Sequence, residues 1–286
     1  MLSLEAMVSS DRSAEYRAAE RLDADGLAAR LGERRRLIEE PPEWWERSFH
    51  DTFDWSLYLD GGVLERRGSG GGAELRWQGL EPGGEVLTQP APDEPGWPAE
   101  LLPGPVRGRI LAPCGIRRLL PRMCLLTRTR PLSLLDDEDK TVVRLALDEH
   151  RFRCPETGLE GELRLRLRVL PVRGYDAECE EAQGLLADEL GLVPIDEPLL
   201  LEALAAAGRR PADYSSKIDY RLAPQARADR VAKSILLGLL DTLERNVAGA
   251  RANLDSEYLH DLRVAVRRTR SALAQIREVF PESVVE

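Results

Sequence analysis

The sequence predicts an α+β fold: an antiparallel sheet domain with flanking helices, then an all-helical hairpin. Three observations carry this. Strand-like segments that alternate apolar and charged residues, above all Glu162-Leu-Arg164-Leu-Arg166-Leu-Arg168-Val169, fall between residues 44 and 170. Turn-forming runs punctuate them at Gly68-Ser-Gly-Gly-Gly72, Asp136-Asp-Glu-Asp139 and Glu156-Thr-Gly158. From Gln225 onward the texture changes to two long amphipathic stretches of helical period. A length of 286 residues with 43% apolar content supports two such units, read as 13–222 and 226–286.

Within 13–36, Leu22, Leu27 and Leu31 on a charged background predict partly helical structure, with Asp23 as a cap. Glu40-Pro-Pro-Glu43 breaks that pattern. From Trp44 to Arg67 the chain reads as extended, because Phe49, Phe53, Trp55, Leu57 and Tyr58 favour strands. Ala73 to Gln78 reads as another short strand. The Pro- and Gly-rich 81–108 reads as a long irregular loop, with a helix or turn at Gly115 to Leu120. Strands follow at Met123 to Arg130, Thr141 to Leu147 and Glu162 to Leu170, then helices at Asp176 to Leu190 and Pro198 to Ala207. Arg209 to Pro224 is a polar connector. The first long helix runs to about Ala250 on Val231, Ile235, Leu236, Leu239, Leu240 and Leu243; the second starts near Ser256, capped by Asp255 or Ser256, and ends before Pro281.

A formal net charge of -10 disfavours non-specific binding to nucleic acid, so any polyanion must be met by locally concentrated positive charge. No apolar run reaches membrane-spanning length, and Met1 to Arg12 lacks a secretory pattern. Cys114, Cys124, Cys154 and Cys179 show no metal-binding spacing and read as free thiols of a cytoplasmic protein. His50, His150 and His260 lie far apart, and no GxxxxGK[ST] loop occurs.

Positive charge concentrates in one place. In His260-Asp-Leu-Arg263-Val-Ala-Val-Arg267-Arg268-Thr-Arg270, residues His260, Arg263, Arg267 and Arg270 fall within roughly 80° of a helix face. Leu262, Val266, Leu273 and Ile276 lie opposite. Like charges so gathered repel, and an anionic partner would offset that cost; the plain alternative is a solvated basic face. The sheet region repeats the theme by alternation. Arg164, Arg166 and Arg168 share a side, Arg128 and Arg130 share another, and Arg76 sits between Leu75 and Trp77. Either an open sheet turns these arginines to water, or a closed or nearly closed barrel turns them inward and makes a basic tunnel. The inward arrangement requires carboxylates, water or a bound polyphosphate as compensation.

From about Arg227 to Pro281, and most closely over Glu257 to Arg270, the chain resembles the opening of the CHAD domain, a conserved-histidine helical bundle. The resemblance implies binding of inorganic polyphosphate by His260, Arg263, Arg267 and Arg270, with Lys233 on the preceding helix. CHAD domains have further helices. The implied remainder lies beyond Glu286, comes from another polypeptide, or is met by self-association. More distantly, 13–222 resembles the CYTH domain, the triphosphate tunnel fold. Phe49-His-Asp-Thr-Phe-Asp54, Leu64-Glu-Arg66-Arg67, Leu75-Arg76-Trp77, Arg128-Thr-Arg130, Leu145-Ala-Leu-Asp148-Glu149 and Ser216-Lys217 carry that likeness.

The CYTH resemblance implies a tunnel-like antiparallel barrel with anion contacts from Arg66, Arg76, Arg128, Arg130, Arg164, Arg166 and Lys217. Family enzymes hold Mg²⁺ or Mn²⁺ on carboxylates and cleave triphosphates. Here their acidic strands are largely replaced. Arg144 stands where an acid precedes the aspartate, and Glu162-Leu-Arg164-Leu-Arg166 replaces a Glu-x-Glu-x-Glu strand. Only Glu15, Asp148 and Glu162 remain as candidate ligands. Arginine adds a positive charge where a metal would sit and does not deprotonate. The expectation is therefore a polyphosphate-binding protein without a cofactor, its sheet domain non-catalytic. The alternatives are a metal-dependent tripolyphosphate hydrolase and a helix-mediated assembly module meeting an acidic protein surface.

Overall fold

The computed structural model of the chain describes residues 14–18, 22–81, 83–216, 220, 222–276 and 279. The elements in order are β1 (Ala14–Ala18), α1 (Ala24–Arg34), β2 (Leu37–Glu39), β3 (Glu43–Asp51), α2 (Ser56–Leu59), β4 (Gly62–Ser69), β5 (Gly72–Gly79), β6 (Val86–Pro90), α3 (Pro105–Cys114), β7 (Leu120–Leu135), β8 (Thr141–Arg153), β9 (Glu160–Glu162), β10 (Arg166–Pro171), α4 (Asp176–Gly184), β11 (Leu192–Pro194), α5 (Leu199–Ala206), α6 (Ala228–Arg251) and α7 (Ser256–Gln275). The expected α+β class and the terminal helical hairpin are both observed.

Among the described residues, eleven strands form one antiparallel sheet in the order β11-β1-β10-β8-β7-β3-β4-β5-β6, with β2 paired to β7 and β9 to β8. Among the described residues the ladder does not close, because β11 and β6 stay at opposite edges. It nevertheless curls strongly. Arg168 on β10 and Arg67 on β4 are four strands apart, about 19 Å across a flat sheet, yet they line the same cavity. The arrangement is thus a deep trough rather than a hydrogen-bonded barrel.

Alternation along the strands sorts residues between the two sides of this trough. On the outer side, Leu132, Leu134, Leu145, Leu167 and Val169 pack with α1 and α4. Further along, Leu64, Leu75 and Trp77 pack with α2 and α3. On the inner side, Phe49, Met123, Leu125 and Phe152 are covered by Leu199, Leu200, Ala203 and Leu204 of α5. The apolar half of the trough is therefore filled, and its other half carries charge.

Several elements differ from the sequence reading, each for a local reason. Residues 13–36 are helical only from Ala24, where Asp23 caps α1 by accepting a hydrogen bond from the Gly26 amide at 2.7 Å. The expected strand across Trp55 to Tyr58 is α2. Asp51 accepts from the Leu57 and Tyr58 amides at 2.9 Å each, and Thr52 Oγ1 accepts from the Ser56 amide, so side-chain caps outweigh strand propensity. The loop of 81–108 contains β6 and the start of α3, which begins at a proline needing no amide partner. Residues 117–119, inside the segment expected as helix or turn, lack regular structure and lead into β7. Residues 163–165 interrupt the 162–170 strand, leaving β9 and β10. Among the described residues no helix is long and apolar enough to cross a membrane.

Candidate functional site: two cationic surfaces

Helix α7 is fixed to the sheet domain along one stripe. Asp255 caps it by accepting from the Glu257 amide at 2.9 Å, and also accepts from the Arg118 amide at 2.7 Å. Tyr258 stacks on Phe53 with ring centroids 4.5 Å apart. The Tyr214 hydroxyl donates to Asp261 at 2.8 Å and accepts from Asn246 of α6 at 2.7 Å. Arg268 donates to the Ser216 carbonyl at 2.9 Å. Residues 258, 261, 265 and 268 follow the 3-4-3 spacing of one helix face, with Ala265 buried at its centre.

Anchoring that stripe turns the other side outward. His260, Arg263, Arg267 and Arg270 are all exposed. Among the described residues none of the four forms an ion pair, whereas the sheet domain pairs its arginines extensively, as in Arg128–Glu149 and Arg209–Asp213. The structure thus brings these four into one row. Arg268, in the same basic run, serves as an anchor instead. Of the expected apolar back face, Leu262, Leu273 and Ile276 are half-buried, but Val266 is 42% exposed. Lys233 is exposed near the N-terminal end of α6, away from the start of the α7 row.

The second surface is the charged half of the trough. Register places Arg47, Arg67, Glu65, Arg76, Thr127, Thr129, Asp148, His150, Arg166 and Arg168 on its inner side. Compensation comes from carboxylates. Glu65 accepts from Arg47 and pairs with Arg67 at 3.1 Å. Asp148 Oδ2 accepts from Arg168 Nε at 2.6 Å, while its Oδ1 accepts from Thr129 at 2.6 Å and from Arg168 Nη2 at 3.3 Å. Arg166, 1% exposed, pairs with Glu15 and Glu202. Burial would raise both acids; Arg168 instead holds the Asp148 carboxyl at about 2, and Arg47 with Arg67 holds Glu65 at about 2. His150 Nδ1 lies 2.9 Å from Thr127 Oγ1. Burial, reinforced by Arg47, Arg166 and Arg168 against Asp148, lowers its pKa to about 3, so the ring is neutral at pH 7.

Only two of the arginines expected in the tunnel face the trough, Arg76 and Arg166. Arg66 shares the outer side with Leu64 and Leu75 and donates to the Pro92 carbonyl. Arg128 and Arg130 also point outward, the first to Glu149 and the second to Asp25 and Glu39. The reason is parity: Thr127 and Thr129 take the inner positions of β7. Arg164 is exposed between β9 and β10, and Lys217 lies outside the described residues. Of the inner arginines, Arg67 and Arg168 were noted in the basic strands but not counted among the anion contacts, and Arg47 was missed, although Trp45-Glu-Arg47-Ser-Phe49 carried the same alternation that marked Arg166.

Residues 234–286 match the CHAD domain family. The CHAD segment thus begins within α6 and includes the whole α7 row. No curated protein matches the chain. Solved structures of similar course include the Bacillus halodurans protein bh2851, with 14% identity over 66% of this chain and 94% of that one, at a TM-score of 0.45. Two others are the PH1819 protein of Pyrococcus horikoshii (12%, 68% and 99%, 0.37) and the Hippeastrum protein HpAC1, described as having a dominant triphosphatase activity (13%, 71% and 99%, 0.41).

A divalent cation, which the CYTH resemblance implies, does not fit the trough. Both oxygens of Asp148 are engaged by Arg168 and Thr129, and Glu15 is paired with Arg166. Glu162 sits on β9 at the surface with Arg151. Among the described residues no group of three His, Cys, Asp or Glu side chains could hold a metal.

Proposed function

We propose that this protein binds inorganic polyphosphate through the α7 face of its CHAD segment. The single observation that carries the reading is the row His260, Arg263, Arg267 and Arg270, exposed and without ion pairs among the described residues in a chain of net charge -10. From residue 260 to residue 270 the row extends about 15 Å. That length suits an extended chain of phosphates rather than one. Each guanidinium offers a planar fork of donors that matches phosphate oxygens, and an already assembled row of like charge gains most from a polymeric counter-ion. Lys233 would extend the contact only for a chain that crosses onto α6. The four cysteines are free, which fits the reducing cytoplasm that this reading assigns to the protein.

The sheet domain is read as non-catalytic. Its candidate metal ligands are held in ion pairs, so turnover by a metal-activated mechanism would require breaking them. Purified protein incubated with tripolyphosphate and Mg²⁺ or Mn²⁺ is expected to release no phosphate; release abolished by Asp148→Ala would establish the hydrolase reading instead. Binding of long-chain polyphosphate, compared with binding of an acidic polypeptide of equal charge, separates the polyphosphate reading from that of a protein-assembly helix.

A further inference from the structure

A cavity separate from the charged half of the trough and from the α7 row lies where the α6–α7 hairpin meets the sheet domain. Arg122 and Glu156 of the sheet domain border it, with Tyr214 of the connector, Arg245 and Asn246 of α6 and Tyr258 of α7. Two of these side chains are buried with a polar atom unmet. Asn246 is 0% and Arg122 6% exposed, and Asn246 Oδ1 and Arg122 Nε have no partner among the described residues. A buried acceptor and a buried donor left so are costly, and a guest that supplies both partners removes the cost.

Both groups are rigidly held. Asn246 Nδ2 donates to the Thr242 carbonyl and to the Tyr214 hydroxyl, each at 2.7 Å. A carbonyl only accepts, so the amide does not flip. Tyr214 gives its one proton to Asp261 and has none for Oδ1. The Arg122 guanidinium lies 4.5 Å over the Trp55 ring, and its Nη2 pairs with Glu156 at 3.4 Å. Trp55 is 0% exposed with a φ of 63°, left-handed backbone that a bulky residue keeps only where its surroundings impose it. Its indole donates to Asp213 at 3.1 Å.

Charge and size select the occupant. Glu156 is shared by Arg122 and Arg209, Arg209 also holds Asp213, and Arg245 holds Asp241. A charged guest would unbalance these pairs in a part-buried space, and an anion would leave Asn246 Oδ1 unmet. The cavity volume is about 30 Å³, room for about two water-sized atoms. That matches the oxygen and nitrogen of an uncharged amide, the first accepting from Arg122 Nε and the second donating to Asn246 Oδ1. The Phe53 and Tyr258 rings, stacked on each other, supply an apolar wall. We propose that this junction is a binding site for the carboxamide head of a small uncharged molecule, which bridges Arg122 of the sheet domain to Asn246 of α6 and ties the hairpin to the sheet. The site does not depend on the phosphate reading of α7.

The test is a titration of the full chain with acetamide, followed in ¹H–¹⁵N spectra through the Arg122 Nε–H and Trp55 indole N–H resonances. Both are expected to shift saturably, with a Kd of about 1–10 mM for so small a ligand. Acetate, which is charged, and N,N-dimethylacetamide, which cannot donate to Oδ1, each bind at least about tenfold more weakly. At about ten times its Kd, acetamide slows amide exchange along the second half of α6 by about tenfold. Arg122→Lys keeps the charge and loses Nε, and Asn246→Leu loses Oδ1; each weakens binding by about tenfold or more. Circular dichroism and thermal melts confirm that the variants are folded, and the ligand series on the unaltered chain decides where one is not. Shifts that do not saturate, as expected of a cavity that holds only water, would overturn the proposal. So would acetate or N,N-dimethylacetamide binding as well as acetamide, or folded variants that bind normally. Polyphosphate binding at α7 is measured separately, so failure of the junction site and failure of the helix face are distinguishable.

Discussion

Replacing Asp148 by asparagine removes the charge from the buried Asp148–Arg168 pair while keeping its shape and the contact with Thr129. Asp148 is 2% exposed, and its carboxyl is held at about 2 against an ordinary value of 3.8. A depression of nearly two units corresponds to roughly 2 kcal/mol of stability at neutral pH. Stranding Arg168, whose side chain is 24% exposed, adds to that, so Asp148→Asn is expected to cost roughly 2–3 kcal/mol at pH 7. Because the folded-state pKa lies below the unfolded one, this stability is fully present above about pH 4. It is lost as pH falls through about 2. Urea denaturation followed by circular dichroism, from pH 7 to pH 2, should therefore show a gap between the two proteins that narrows below pH 4 and closes near pH 2. His50 and His150, lowered to about 4 and about 3, weaken both proteins below pH 6.5. Asp51, pushed up to about 6 by burial, acts in the opposite direction between pH 6 and 4 in both. The His50 and Asp51 contributions cancel in the comparison; that of His150 does not, because the Asp148 charge acts on its ring directly. No gap at pH 7, or a gap of constant size down to pH 2, would refute the assignment of Asp148 as the charged anchor of Arg168.

Two further substitutions probe how the CHAD segment is seated. A Cβ at Gly249 would come within 2.4 Å of the Tyr258 ring. Gly249→Ala should thus destabilise the hairpin by about 1–2 kcal/mol, despite a helix-propensity gain of about 1 kcal/mol, read as a lower melting temperature and faster amide exchange in α7. Asp255→Ala removes both the α7 cap and the acceptor for the Arg118 amide. It is expected to cost about 2 kcal/mol, with the loss concentrated in exchange protection of the first turn of α7.

What could be read from the sequence follows the range of the interactions involved. The α7 row was legible because helical periodicity is local: His260, Arg263, Arg267 and Arg270 share a face whatever the helix packs against. Its orientation was less so, since Tyr214, Phe53 and Ser216, which hold the opposite stripe, come from distant segments. In the sheet, Arg166 and Arg168 were marked by alternation, but parity alone does not say which side of a strand faces in. Arg66 and Arg67 are adjacent and face opposite ways. The inner positions of β7 went to Thr127 and Thr129, which turned Arg128 and Arg130 outward. The pairing of Arg47 with Glu65 and of Arg168 with Asp148 depends on cross-strand register and was not visible at all. Those pairs decide that a metal does not fit. Likewise, α2 and α3 arise from caps at Asp51 and Thr52 and from Pro105, signals weaker than the aromatic and Gly/Pro content around them.

The central claim is that the exposed α7 cations bind a phosphate chain. Fluorescence anisotropy of labelled long-chain polyphosphate, titrated with the full chain over a series of salt concentrations, tests it most directly. The account predicts that the logarithm of affinity falls linearly with the logarithm of salt concentration. Arg263→Ala, Arg267→Ala and Arg270→Ala together should weaken binding by about a hundredfold at low salt and reduce the salt slope by about 2, or about 0.7 for each phosphate that is no longer neutralised. A triple variant that binds as the unaltered chain does, with the same salt slope, would contradict it.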